Sequence, residues 1–99
     1  MGAMMQHLVV LRLRHPSGSA EEATFLEGCR SLARIPGVQD FRLLRQIHPD
    51  SSYQYAFSMQ FADQEAYNSY QVHPEHLAFV ENVWKPAVAA GQDLDFVAL

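Results

Sequence analysis

Apolar and polar residues alternate most regularly between Tyr53 and Phe61, where aromatic or methionine side chains occupy every second position. A period of two with one apolar and one largely polar face is typical of a strand that packs against a core on one side. A second alternation, from Gln6 to Arg14, predicts the first strand of the chain. Its inward face is expected to carry His7, Val9, Leu11 and Leu13.

Helical spacing appears in two other parts of the chain. Ser19-Ala-Glu-Glu22 has the form of a capping box, and the apolar stripe after it predicts a helix that reaches about residue 33. Asp63 is expected to cap a short helix that extends to about Tyr70. Pro74 suits the first turn of a further helix that runs to about Val88.

Two more strands, at 38–47 and 93–98, complete the order β-α-β-β-α-β. This order predicts an α+β, ferredoxin-like sandwich, with a four-stranded antiparallel sheet and both helical segments on one face. We expect the first and third strands to form the central pair and to run parallel to each other. Leu8, Val10 and Val97 are placed on the opposite, uncovered face. A second copy packed against that face would bury it and close a dimeric α/β barrel.

Length and composition limit the organisation of the chain. Ninety-nine residues form one domain, which we place at residues 6–99 after an N-terminal tail at 1–5. The net charge of −4 and the lack of a basic run argue against nucleic-acid binding. No stretch approaches the ~20 apolar residues of a membrane span, and no secretion signal is evident. A single cysteine excludes an intrachain disulfide and is compatible with a cytoplasmic location.

The candidate chemistry lies in Tyr70-Gln-Val-His73-Pro74-Glu-His76. Phenol and imidazole groups commonly carry general acid–base reactions near neutral pH. His76 starts an apolar stripe at helical spacing, so its side chain is expected to point toward the sheet, where His7 also points. The hypothesis is therefore catalysis by His76 as general base and Tyr70 as hydrogen-bond donor or acid, with His7 in an orienting role.

An apolar pocket between sheet and helices would surround these groups and favour a small carbonyl or phenolic ligand. The predicted binding residues are His7, Val9, Leu11, Phe25, Tyr55, Phe57, His73 and Phe79. A metal site at His73 and His76 is the less favoured alternative, because no carboxylate motif with known ligand spacing accompanies them, and no cofactor is expected. Structural alternatives remain open: His73 could cap the helix that Pro74 begins, and the Tyr70–His76 pair could be a satisfied polar cluster in the core.

The chain resembles the stress-responsive A/B barrel domain (Dabb) family through His7, Ile35-Pro36-Gly37-Val38 and Tyr70-x-x-His73-Pro74-x-His76. The resemblance implies a ferredoxin-like protomer and a homodimer joined through its sheet faces, but it implies no single reaction. One plant branch of the family cyclises a linear polyketide by aldol condensation, and its catalytic pair matches Tyr70 and His76. This chain departs from that branch at Tyr55, where the branch has a histidine.

Three functions are therefore compatible with the sequence. The first is a small homodimer of unassigned activity with an apolar ligand pocket. The second is a cofactor-independent cyclase, isomerase or monooxygenase. The third is a purely structural dimer without a catalytic site.

Overall fold

The computed structural model describes residues 3–99, so residues 1 and 2 of the predicted tail lie outside the described part of the chain. Its four strands are β1 (Met5–Leu13), β2 (Gln39–Arg45), β3 (Tyr55–Phe61) and β4 (Val88–Val97). They form one sheet in the order β2-β3-β1-β4, and every neighbouring pair is antiparallel. This arrangement confirms the predicted ferredoxin-like α+β fold.

The expected parallel pairing of the first and third strands is wrong. β1 and β3 pair antiparallel, with His7 opposite Met59 and Leu11 opposite Tyr55. The helical crossover after β1 leads to β2, which lies two positions away in the sheet. β3 runs back from β2 and fills the position between them, so it is antiparallel to both of its neighbours.

The helices begin where their capping residues predict. α1 (Ala20–Arg30) leads into a 3₁₀ turn (Ser31–Arg34), and α2 (Gln64–Val72) follows β3. α3 (Pro74–Phe79) continues through a π-helical turn (Val80–Trp84) into α4 (Lys85–Ala87). Side chains of Ser19, Asp63 and His73 accept hydrogen bonds from backbone N–H groups in the first turns of α1, α2 and α3. Within residues 3–99, no helix has the length and apolar content needed to cross a membrane.

β4 differs most from its prediction. It begins at Val88, directly after α4, and passes through Gly91 without a break. Val97 lies opposite Met5 and therefore on the helix side of the sheet, so its predicted place on the uncovered face is wrong. Pairing with β1 extends the strand across Gly91, because ladder contacts outweigh the weak strand preference of glycine.

The core lies between the helices and one face of the sheet. Inward residues of β1 and β3 fill it, together with side chains from the helices. The largest fully buried side chains are Tyr70, Phe25, Phe61, Leu11, Leu32, Met59 and Cys29. The other surface of the sheet, called the open face here, carries Leu8, Val10, Leu44, Leu94 and Phe96.

Candidate functional site

A cavity of ≈ 210 Å³ lies between the sheet and the helical segment that follows β3. Its walls are His7, Val9, Phe57, Tyr70, His76, Phe79, Val80, Trp84 and Asp93. The first six of these residues belong to the predicted site. β1 and β3 present their inward side chains from the sheet, while α2 and α3 bring Tyr70 and His76 over them. The fold thus places both imidazoles and the phenol at one cavity, although His7 lies far from the other two in sequence.

The remaining predicted residues lie elsewhere. Leu11 is fully buried in the core, and Phe25 lines a separate hollow beside α1 and α4. The Tyr55 hydroxyl donates a hydrogen bond to Glu22 Oε2 at 2.7 Å. His73 Nδ1 accepts a hydrogen bond from the Glu75 backbone N–H at 3.1 Å, so the side chain caps α3.

His76 is held in one tautomer by the backbone. Its Nδ1 lies 2.9 Å from the carbonyl oxygen of Gln71. A carbonyl oxygen can only accept, so Nδ1 carries the proton in this contact and the neutral ring has its lone pair on Nε2. The ring centroid lies 4.5 Å from that of Tyr70, so the imidazole and the phenol ring pack against each other.

Tyr70 keeps its proton at neutral pH. The side chain is 1% exposed, and burial raises the pKa of its hydroxyl above the ordinary value. Across residues 3–99, its hydroxyl has no hydrogen bond to another protein group, and no fully buried polar side-chain atom lacks a partner. The hydroxyl therefore borders the cavity, where it can donate a hydrogen bond to a bound molecule.

His7 is fixed by a carboxylate from the edge strand. Its Nδ1 lies 2.6 Å from Asp95 Oδ1, and the Tyr67 hydroxyl donates to Asp95 Oδ2 at 3.3 Å. Burial, followed by the charge of Asp95, raises the pKa of Tyr67 to about 12. Gln71 donates a further hydrogen bond to the Tyr67 hydroxyl at 2.6 Å. Gln71 is therefore linked to both histidines. Its carbonyl oxygen contacts His76 directly, and its side chain is connected to His7 through Tyr67 and Asp95.

The sequence interpretation missed the acidic residues of this site. Asp93 and Asp95 alternate with Leu94 and Phe96, so they share the inward face of β4. Asp95 lies directly opposite His7 in the β1–β4 ladder, and Asp93 lies opposite Val9. The Asp-x-Asp alternation was a usable signal, but only the register between the first and last strands connects it to His7.

Solved structures with the same fold include a Dabb family protein with a ferredoxin-like fold from Mesorhizobium loti, which is 46% identical, with 98% of each chain covered and a TM-score of 0.95. A dimeric ferredoxin-like protein from Thermobifida fusca is 18% identical, with 99% of this chain and 93% of that chain covered and a TM-score of 0.81. The hydroxynitrile lyase from Passiflora edulis is 14% identical, with 100% of this chain and 96% of that chain covered and a TM-score of 0.86.

No curated protein matches the sequence. The family model of the stress responsive A/B barrel domain, in contrast, matches residues 5–98, which include all four strands and every residue that lines the cavity. On this match and on its likeness to the Mesorhizobium loti protein, the chain belongs to the Dabb family.

Proposed function

We propose that the cavity binds a small, mainly apolar carbonyl compound and that His76 removes a proton from the carbon beside the carbonyl group. The observation that carries the proposal is the contact between Gln71 O and His76 Nδ1, because it leaves Nε2 as the basic atom. The Tyr70 ring packs 4.5 Å from the imidazole that carries this base, and its protonated hydroxyl has no hydrogen-bond partner in the described part of the chain. A base and a hydrogen-bond donor at one apolar cavity are what enolate formation requires.

In the proposed step, the C–H bond breaks and its proton passes to His76 Nε2. The electron pair of that bond forms a carbon–carbon double bond, the π pair of the carbonyl group moves onto its oxygen, and this enolate oxygen accepts a hydrogen bond from the Tyr70 hydroxyl. Return of the proton to the same carbon or to another position restores a neutral product. The base is regenerated, and the step needs no redox cofactor because proton removal and return leave the oxidation state of the ligand unchanged.

The dimensions of the cavity support a ligand with one ring. Its volume of ≈ 210 Å³ is below the usual range of about 300–1,000 Å³ for ligand pockets. An apolar protein cavity of about 150 Å³ is large enough to bind benzene. Val9, Phe57 and Phe79 supply apolar walls that suit such a ring. The hydroxynitrile lyase from Passiflora edulis indicates that this fold can hold an enzyme, although its low identity transfers no substrate.

Hydrogen exchange at a model ketone tests the proposed step. Wild-type protein should accelerate the exchange of the acetophenone methyl protons for deuterium in D₂O, followed by ¹H NMR. Because general-base catalysis contributes about 10²–10⁴-fold, His76→Ala should lose an acceleration of that size.

The matched control is His73→Ala, which changes the other histidine of the same segment. Its side chain caps α3 and does not line the cavity, so the exchange rate should stay at the wild-type value in the folded protein. Equal rates in wild type and His76→Ala, or no acceleration by wild type, would contradict the proposal.

We also infer that the chain forms a homodimer through its open face. Leu8 and Val10 lie on a central strand of this face, and Leu44 and Phe96 on the two edge strands are 43% and 50% exposed. An apolar surface of this kind on a small domain is typical of an interface with another protein. The dimeric Thermobifida fusca neighbour has the same fold, which supports a second copy as the partner.

Sedimentation equilibrium distinguishes the open face from other apolar surfaces. Val10→Asp should shift the equilibrium toward monomer, because a charge would be buried without a partner. Val72→Asp is the control, since Val72 on α2 is 72% exposed and away from the sheet. A wild-type protein that sediments as a monomer at high concentration would exclude the dimer.

A further inference from the structure

The π-helical turn Val80–Trp84 forms one wall of the cavity. Single π turns within α-helices are uncommon and often lie at functional sites. Here the first and last residues of the turn, Val80 and Trp84, line the cavity, whereas Val83 contacts α1. The turn therefore has one side toward the ligand space and another toward the neighbouring helix.

Two glycines allow this turn to approach its neighbours closely. A Cβ atom built at Gly91 would lie 2.6 Å from Cζ2 and 2.8 Å from Cη2 of Trp84. A Cβ atom built at Gly28 would lie 2.8 Å from Cγ1 of Val83. Neither glycine has a positive φ, so the space left by the missing side chain explains both positions.

The two contacts differ in their relation to the cavity. Gly91 is in β4, opposite Leu11, on the inward face that also carries Asp93. The six-membered ring of Trp84 rests on it, and Phe57 lies on another side of the indole at a centroid distance of 6.3 Å. A methyl group at residue 91 would push the indole off the strand, and Trp84 is a cavity wall. A methyl group at residue 28 would displace Val83, and Val83 does not line the cavity.

From this difference we infer that Gly91 determines how large a ligand the cavity can accept. By letting the indole of Trp84 approach the β4 backbone closely, Gly91 keeps open the part of the cavity next to Phe57. The inference rests on the proposed function only for the class of ligand, a one-ring apolar carbonyl compound. It assigns a specificity role to a residue that contacts the ligand space only through Trp84.

Calorimetric titration of wild type, Gly91→Ala, Gly28→Ala and Trp84→Phe with acetophenone and with the two-ring ketone 2-acetonaphthone tests the inference. Wild type should bind acetophenone more tightly than 2-acetonaphthone. Gly91→Ala should weaken acetophenone binding by about tenfold or more, the usual effect of one methylene-sized change in an apolar pocket. Gly28→Ala should bind acetophenone like wild type, and Trp84→Phe should bind 2-acetonaphthone more tightly than wild type does.

Fluorescence provides a second measurement, because Trp84 is the only tryptophan of the chain. Gly91→Ala should shift its emission maximum, and circular dichroism should verify that each variant is folded. Trp84→Phe replaces the clash partner with a smaller ring and so keeps the test available if Gly91→Ala does not fold.

Three outcomes would overturn the inference. These are wild-type affinity for acetophenone in folded Gly91→Ala, unchanged ketone preference in Trp84→Phe, and failure of wild type to bind either ketone. Because these measurements record binding, they separate the inference from the catalytic proposal. Weaker acetophenone binding in Gly91→Ala together with unchanged proton exchange in His76→Ala would retain the role of Gly91 and refute the role of His76.

Discussion

Two buried tyrosines on the helix side of the sheet have opposite hydrogen-bonding arrangements. Tyr55 is 4% exposed, its hydroxyl donates to Glu22 Oε2 at 2.7 Å, and the Arg45 guanidinium lies 5.3 Å from its ring centroid. Tyr70 is 1% exposed, and its hydroxyl borders the cavity without a partner among the described residues. The first phenol is satisfied by the fold, and the second is available to a ligand.

Titration behaviour alone does not separate these tyrosines. Burial is the largest cause of a raised pKa in both, with Glu22 adding to the effect at Tyr55. The hydrogen-bond partner separates them, because buried polar groups are normally paired within the protein. A buried hydroxyl that borders a cavity is therefore a stronger indication of a site than burial or a raised pKa.

The largest expected effect is on catalysis by the tyrosine that borders the cavity. Tyr70→Phe should reduce the acceleration of acetophenone proton exchange by about 100-fold, the lower range for loss of one donor to a developing oxyanion. Tyr55→Phe should leave the exchange rate unchanged, because its hydroxyl points to Glu22. Equal losses in both variants, measured by ¹H NMR in D₂O, would remove the distinction between the two tyrosines.

A smaller effect is expected at the carboxylate that pairs with His7. Asp95→Asn keeps an acceptor near His7 Nδ1 but removes the charge, so the free energy of unfolding should fall by about 1 kcal/mol. Proton exchange should slow less than in Tyr70→Phe, since His7 neither removes the proton nor donates to the enolate oxygen in the proposed step. Urea unfolding measures the stability change.

Asp93→Asn is the matched control for Asp95→Asn, because it lies on the same face of the same strand and Asp93 makes no hydrogen bond to His7. Its free energy of unfolding should stay within about 0.5 kcal/mol of wild type. A loss in Asp93→Asn equal to that in Asp95→Asn would attribute the effect to the charge of β4 in general.

The smallest effect is on the acid stability of the region around Tyr55. The Gly18 backbone N–H and then the Tyr55 hydroxyl donate to Glu22 and lower the pKa of its carboxyl group. Since the folded pKa is below the unfolded value of about 4.3, the stabilisation is complete above that pH and is lost as the pH falls through the folded pKa. Tyr55→Phe should therefore move acid unfolding to slightly higher pH.

Tyr53→Phe is the control for acid unfolding, because the Tyr53 side chain has no hydrogen bond to Glu22. Circular dichroism between pH 5 and pH 2 follows the transition. Unfolding of Tyr55→Phe at the wild-type pH would indicate that the Gly18 hydrogen bond alone stabilises the Glu22 carboxylate.

Local chemistry made several elements predictable. The alternation in β1 and β3 identifies the inward residues, because a strand has a side-chain period of two and only one face reaches the core. Asp63 and His73 mark the starts of α2 and α3, because each side chain accepts a hydrogen bond from a free N–H group of the next turn. The same periodicities placed His7, Tyr70 and His76 toward one interior.

Contacts distant in sequence made other features unpredictable. The antiparallel β1–β3 pair, the start of β4 at Val88 and the side occupied by Val97 all depend on which strands pair and in which register. Leu11 and Phe25 face inward as expected, but the cavity occupies only the part of the interior next to α2 and α3. Inward direction can be read from a period, whereas the location of empty space depends on how all elements pack.

The sequence by itself determined the order of the elements, the caps of the helices and the inward faces of β1 and β3, because each depends on residues near one another in the chain. Only the tertiary structure brought Asp95 to His7, 88 positions away, and set the indole of Trp84 against Gly91. The physical reason is that hydrogen-bond partners and cavity walls are selected by strand register and helix packing, which no local pattern encodes.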